Sequence, residues 1–178
     1  MPVDPLITIR AARPDEHDRL GELTAAAYLD EGLLDLGADD PYLSVLRDVA
    51  GRAQHAEVLV AVDADGAVLG GVAFVEGPGP FADVACDGEA EFRTLAVAPA
   101  GRGRGVGTAL VRECLDRARA LGRRRVVLST QPMMHSAHRV YERFGLVRAP
   151  ERDWSPIPTL TLLVYVLDLE SEQPTTSA

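Results

Sequence analysis

The sequence predicts a mixed α/β (α+β) domain: a central mixed sheet of six to seven strands with helices on both faces. Three observations predict it. The hydrophobic period switches along the chain in the order β-α-α-β-β-β-α-β-α-β-β, which calls for helices packed on a sheet. Residues 57–75 are two β-rich runs around an Asp-Gly turn, a strong hairpin signal. A strand ending in Pro99 leads directly into RGRGVG, residues 102–107, and then into an amphipathic helix. The 178 residues suit one domain, placed at 1–170, followed by a disordered tail at 171–178.

Each element has a local cause. Residues 6–10 form a short strand. Pro14 opens a helix with Asp15 and Glu16 in its first turn, where the dipole favours acids. Leu20, Leu23, Ala27 and Tyr28 form its apolar stripe. Asp40 and Pro41 start a second helix, whose expected buried face is Tyr42, Val45, Leu46, Val49 and Ala53. The hairpin follows, then a strand over 89–97 that Pro99 stops. The next helix, 106–121, turns Val106, Leu110, Cys114, Ala118 and Leu121 inward. It pairs Arg112 with Asp116 and Glu113 with Arg117 outside. RRVVLST is a buried strand. A helix with Ala137, Val140, Tyr141 and Phe144 on one face ends at Gly145. LVRAPERDW and TLLVYVLDL are the last strands.

Composition narrows the function. The net charge of −9 argues against nucleic acid as a partner, and no apolar run is long enough to span a membrane. The N-terminus lacks the pattern of a secretory signal, and two cysteines make no disulfide framework or zinc motif. A cytoplasmic location is expected. Every basic residue is an arginine. Residues 102–125 hold eight arginines against Glu113 and Asp116, a local +6, which leaves −15 for the rest of the chain. That asymmetry points to an anionic ligand at one place and a cationic one at another.

The glycine loop is where the anion belongs. Amides at a helix N-terminus lack partners and, with the dipole, attract phosphate. Glycines let a phosphate approach, and Arg102 and Arg104 add charge. A glycine-rich helix start can also serve a turn alone. No Gly-Lys-Ser/Thr follows and no G-x-G-x-x-G frame is present, so neither common nucleotide fingerprint applies. His135, His138 and Glu142 supply at most three ligands with no group to orient them, and no metal is expected.

Three motifs together resemble one family. Arg102, Gly105 and Gly107 match Arg/Gln-x-x-Gly-x-Gly/Ala, the strand before them reads LAVAP, and residues 137–146 read A-x-x-x-Y-E-R-F-G-L. The chain resembles the Gcn5-related N-acetyltransferase (GNAT) superfamily from residue 6 to about 169. The resemblance implies a GNAT fold whose sheet is splayed at its centre, with acetyl-CoA in the cleft. Its pyrophosphate would lie on Arg102, Gly103, Arg104, Gly105, Val106, Gly107 and Thr108, and its pantetheine arm along Leu95, Ala96 and Val97. Transfer to the acceptor is direct, so neither cysteine is a nucleophile. Dimers are common in the family, so a homodimer is possible.

Two catalytic candidates emerge. Glu91 shares a pleat face with Arg93, Leu95 and Val97 on strict alternation, and it falls where some members carry a glutamate base. By resemblance, Tyr141 is the acid that protonates the departing CoA thiolate; by periodicity alone it also fits the core. Where many members have an asparagine this chain has Met134, and Ser136 or a backbone group is expected to stand in. The segment between the first two helices carries Asp30, Glu31, Asp35, Asp39 and Asp40 and no base, which favours a cationic small molecule or peptide amine as acceptor. An acidic solvated loop reads the same way. Trp154, Pro156 and Pro158 form either a substrate lip or a turn. The alternative function is a catalytically weak acyl-CoA-binding sensor or interaction module.

Overall fold

The computed structural model describes residues 3–169; the tail expected at 171–178 and the last residue of the expected domain, 170, lie outside them. Among the described residues eight strands form the sheet: β1 (Thr8–Ala11), β2 (Glu57–Val62), β3 (Val68–Val75), β4 (Glu89–Val97), β5 (Arg125–Thr130), β6 (Val147–Arg148), β7 (Trp154–Ile157) and β8 (Leu160–Asp168). One more strand is present than expected, because LVRAPERDW is not continuous. Pro150 begins a 3-10 turn there, and proline has no N–H for a ladder, so the run divides into β6 and β7.

The order is β1-β2-β3-β4-β5-β8-β6, with β7 on β8, and only β4 and β5 run parallel. That parallel pairing covers Glu89↔Arg125 to Glu91↔Val127 and then stops. Beyond it β4 stays with β3 as far as Val97, and β5 stays with β8 as far as Thr130, so the sheet opens at its centre. A bulge accompanies the opening. The β3–β4 register steps from Ala73↔Arg93 to Gly71↔Ala96, leaving Thr94 and Leu95 opposite Val72. Thr94 sits at φ +51°, which a β-branched residue tolerates only at a cost of about 1–3 kcal/mol. A bulge bends its strand and turns the end of β4 away from β5.

The helices are α1 (His17–Asp30), α2 (Tyr42–Arg47), α3 (Val49–Arg52), α4 (Val106–Ala120) and α5 (His135–Arg143). Alternation along β2 shows how they are divided. Val58, Val60 and Val62 pack with Leu20 of α1 and Val49 of α3, whereas Leu59 and Ala61 pack on the α4 side. Both faces of β2 and β3 are buried, which is why they read as unbroken apolar runs.

Three local expectations change. Pro14–Glu16 is a 3-10 turn ahead of α1 rather than its first turn. The second helix breaks at Asp48 (φ −77°, ψ 69°), whose carboxylate accepts from the Gly51 amide at 2.8 Å and restarts the chain as α3. The break rotates the pattern. Leu43, Leu46 and Val49 are buried, while Tyr42 is 38% and Val45 50% exposed and Ala53 is exposed. Leu121, expected inside, lies just past α4 and is 44% exposed. On the outside of α4, Arg117 meets Glu113 at 3.1 Å as expected, but Asp116 pairs with Arg119, and Arg112 lies over the Phe144 ring.

Candidate active site

Two cavities meet at the split in the sheet. The smaller, of about 480 Å³, lies between the end of β4, the start of α4 and one face of α5. Gly103 and Gly105 adopt φ +73° and +78°, a region costly for residues with a Cβ, and Gly105 is the N-cap of α4. Among the described residues the amides of Gly103, Gly105, Val106, Gly107 and Thr108 donate to no protein acceptor. Bare amides at a helix start make a cradle for an anion. Leu95, Ala96, Val97, Arg102, Gly103, Gly105, Val106, Gly107, Thr108 and Ser136 all line this cavity.

Arg104 does not line it. Its guanidinium bonds Asp4 at 2.9 and 3.0 Å, and the Asp4 amide donates to the Arg104 carbonyl, so this arginine pins Asp4 to the loop. Two arginines that were not anticipated take its place. Arg139 and Arg143 on α5 line the cavity beside Ser136. The spacing 136, 139, 143 is one helix face, a signal readable in the sequence. Met134 also borders the cavity. Arg123, Arg124 and Arg125 lie elsewhere: Arg124 donates to the Asp87 carbonyl, and Arg125 pairs with Asp168 and Glu89.

The larger cavity, of about 830 Å³, lies on the other side of the junction. Its walls come from the segment around α2, from β4, the end of β5, α5 and the β7–β8 hairpin. Tyr28, Leu33, Leu95 and Met134 border both cavities and mark the passage between them. Of the acidic segment, Asp35 and Asp40 face the larger cavity and Glu31 the smaller, while Asp30 lies 3.9 Å from Arg102. Trp154 and Pro156 line the larger cavity; Pro158 does not.

Tyr141 lines the larger cavity, with its ring against Phe92 (5.7 Å) and Tyr165 (5.9 Å). Its hydroxyl makes no hydrogen bond among the described residues, and burial pushes its pKa well above the ordinary phenol value. The proton therefore stays on the oxygen, available to a group in the cavity.

Glu91 is placed differently from the expectation. The bulge breaks strict alternation, so Leu95 and Val97 pack with Phe92 on the α4 side and no longer share a face with Glu91 and Arg93. The Glu91 carboxylate is fully buried and accepts from the amides of Asp83, Val84 and Ala85 at 3.0 Å each. It lines neither cavity. Burial raises its pKa, against the pull of those amides. The loop it holds carries a carboxylate that does face the larger cavity. The Asp83 side chain is 23% exposed, pairs with Arg93 at 2.7 Å, and has a pKa raised by desolvation. No sequence pattern marked Asp83, because it and Asp87 sit in a glycine- and proline-rich loop with no apolar period to place them.

A junction of an amide cradle and an open strand edge with a separate chamber suits a donor and an acceptor that meet end to end. Comparison with known proteins agrees. Residues 22–146 match the acetyltransferase (GNAT) family. An uncharacterised N-acetyltransferase of Schizosaccharomyces pombe is 32% identical over 139 residues, 76% of this chain and 80% of that protein. The chain belongs to the GNAT family. A GNAT acetyltransferase of Brucella melitensis, solved with acetyl-CoA, is 27% identical with a TM-score of 0.61, covering 94% of this chain and 91% of that one. The fold is also that of yncA from Salmonella typhimurium, solved with its cofactor acetyl-CoA: TM-score 0.67 over 97% and 99% of the chains, at 23% identity. This GNAT protein is thus an N-acetyltransferase with acetyl-CoA as co-substrate. The unpaired amides, the glycines and the arginines of the smaller cavity suit a pyrophosphate. Among the described residues no group of three His, Cys, Asp or Glu is placed to hold a metal ion; His138 instead contacts the Gln131 carbonyl (3.1 Å) and the Thr130 hydroxyl (3.4 Å).

Proposed function

We propose that this GNAT protein acetylates the amine of a cationic acceptor, a small molecule or a peptide amine, held in the larger cavity. The observation that supports this best is the charge of that cavity: Asp35, Asp40 and Asp83 line it against Arg93 alone. Acetyl-CoA, held in the smaller cavity, supplies the thioester acetyl group. The acceptor enters as an ammonium and must lose a proton before its nitrogen can attack. In our proposal Asp83, not the enclosed Glu91, takes that proton. Its raised pKa makes it a better base than an exposed aspartate. Glu91 acts through the loop, by fixing the backbone that carries Asp83. The Tyr141 hydroxyl donates a proton to the departing sulfur. Amine-dependent release of CoA, measured across a panel of primary amines, tests the proposal. Cationic amines are expected to turn over and neutral amides not. Equal, slow CoA release with and without amines would overturn it.

A further inference from the structure

The chemistry of the larger cavity narrows the acceptor further. Its interior is built mainly from rings and aliphatic chains, among them Tyr28, Tyr42, Phe92, Trp154 and Leu162. Apolar surface continues around it, with Leu36, Val45 and Ile157 from 47% to 64% exposed. An apolar body placed there removes that surface from water. The charged groups are few. Asp35 is exposed and accepts from the Thr159 hydroxyl, and Asp40 accepts from the amides of Tyr42 and Leu36. That leaves Asp83 as the carboxylate beside β4. Arg93 is spent: it pairs with Asp83, donates to the Phe81 carbonyl and lies 4.3 Å over the Phe81 ring. It has no face left to clamp an acceptor carboxylate.

We infer that the acceptor is a small apolar monoamine, an aryl- or alkylamine with one ammonium group and an uncharged body. This rests on the acetyl-transfer role proposed above. A polyamine would bury further ammonium groups against the rings without partners, a costly placement. An amino acid would leave its carboxylate unpaired. A short peptide would likewise leave its C-terminal carboxylate unpaired. At about 830 Å³ the chamber has room for a ring system and not only a short chain.

The test compares kcat/KM for 2-phenylethylamine, spermidine and a Ser-Ala dipeptide, with acetyl-CoA-induced stabilisation followed by melting temperature. Phenylethylamine is expected to exceed both others by about 100-fold, a ratio within reach of a site that leaves the wrong substrate's polar groups unpaired. Val45→Asn, at a half-exposed position that tolerates substitution, and Trp154→Ala are each expected to lower kcat/KM for phenylethylamine roughly tenfold. Both should leave the acetyl-CoA-induced shift in melting temperature intact. Faster turnover of spermidine or the dipeptide, with the shift intact, would overturn the apolar acceptor while acetyl transfer stands. Unchanged phenylethylamine kinetics in both variants would do the same. No turnover of any amine, despite acetyl-CoA binding, would overturn acetyl transfer and this inference together.

Discussion

The two cavities on either side of the split are made from different parts of the polypeptide. The smaller is mostly backbone: an open strand edge, two left-handed glycines and, among the described residues, five unpaired amides at and just before the start of α4. Its main residues lie within one run of 14 positions, 95–108, with one face of α5 opposite. The larger is mostly side chain, with walls from segments as far apart as Tyr28 and Leu162. Backbone chemistry can hold any ligand with the right phosphate, whereas a wall of side chains selects a shape. On the proposed reading the donor rests mainly on backbone and the acceptor on side chains.

If that division holds, variants on the two sides should separate donor binding from turnover. The largest effect is expected from Tyr141→Phe. Removing the hydroxyl alone should lower kcat by roughly 10²–10⁴-fold, the usual range for a positioned acid or base. The ring contacts with Phe92 and Tyr165 remain, so acetyl-CoA affinity and melting temperature should change little. Near-normal kcat in the folded variant would make Tyr141 a core residue only.

The next contrast sets Asp83→Asn against Glu91→Gln. Asp83→Asn should cost on the order of 10² in kcat/KM and leave stability nearly unchanged. It should also remove the acid limb of the pH profile. The sign follows from the chemistry: a base must be ionised, so activity falls as pH drops through its pKa, which burial has raised above the ordinary aspartate value. Glu91→Gln keeps one acceptor oxygen but turns an NH₂ toward a row of amide donors. It should lower melting temperature as well as activity, since a buried unmet donor costs about 1–3 kcal/mol. A fully stable Glu91→Gln with the activity loss expected of Asp83→Asn would return the base role to Glu91.

The smallest change in turnover chemistry, and the sharpest in donor binding, is expected in the glycine loop. Acetyl-CoA should raise the melting temperature of the native protein, as any ligand of the folded state does. Gly105→Val should abolish that shift, because a branched residue at φ +78° is strained and its side chain occupies the cradle. Arg104→Ala, in contrast, should keep the shift, because that arginine is bound to Asp4. A lost shift in Arg104→Ala would place it back at the phosphates.

Sequence by itself determined the geometry of the glycine-loop cavity. A glycine run between a strand and a helix is a local device: φ > 0 and bare amides follow from residues a few positions apart, so the motif carries its geometry with it. The hairpin, the buried strands and α4 were legible for the same reason, since each depends on a period within one segment. Tertiary structure decided the rest. Tyr42 and Val45 have the spacing of core residues, but hydrophobic periodicity cannot tell a core from the wall of a chamber. Only the break at Asp48 and the position of the β7–β8 hairpin turn them toward one. Glu91 lost its expected place to a bulge at Thr94, one inserted residue that exchanges the faces of a strand and leaves no mark in the pattern. Asp83 stands at the wall of the larger cavity on a loop whose backbone Glu91, eight positions on, holds. Such contacts join residues whose separation in sequence obeys no period, and only the folded chain brings them together.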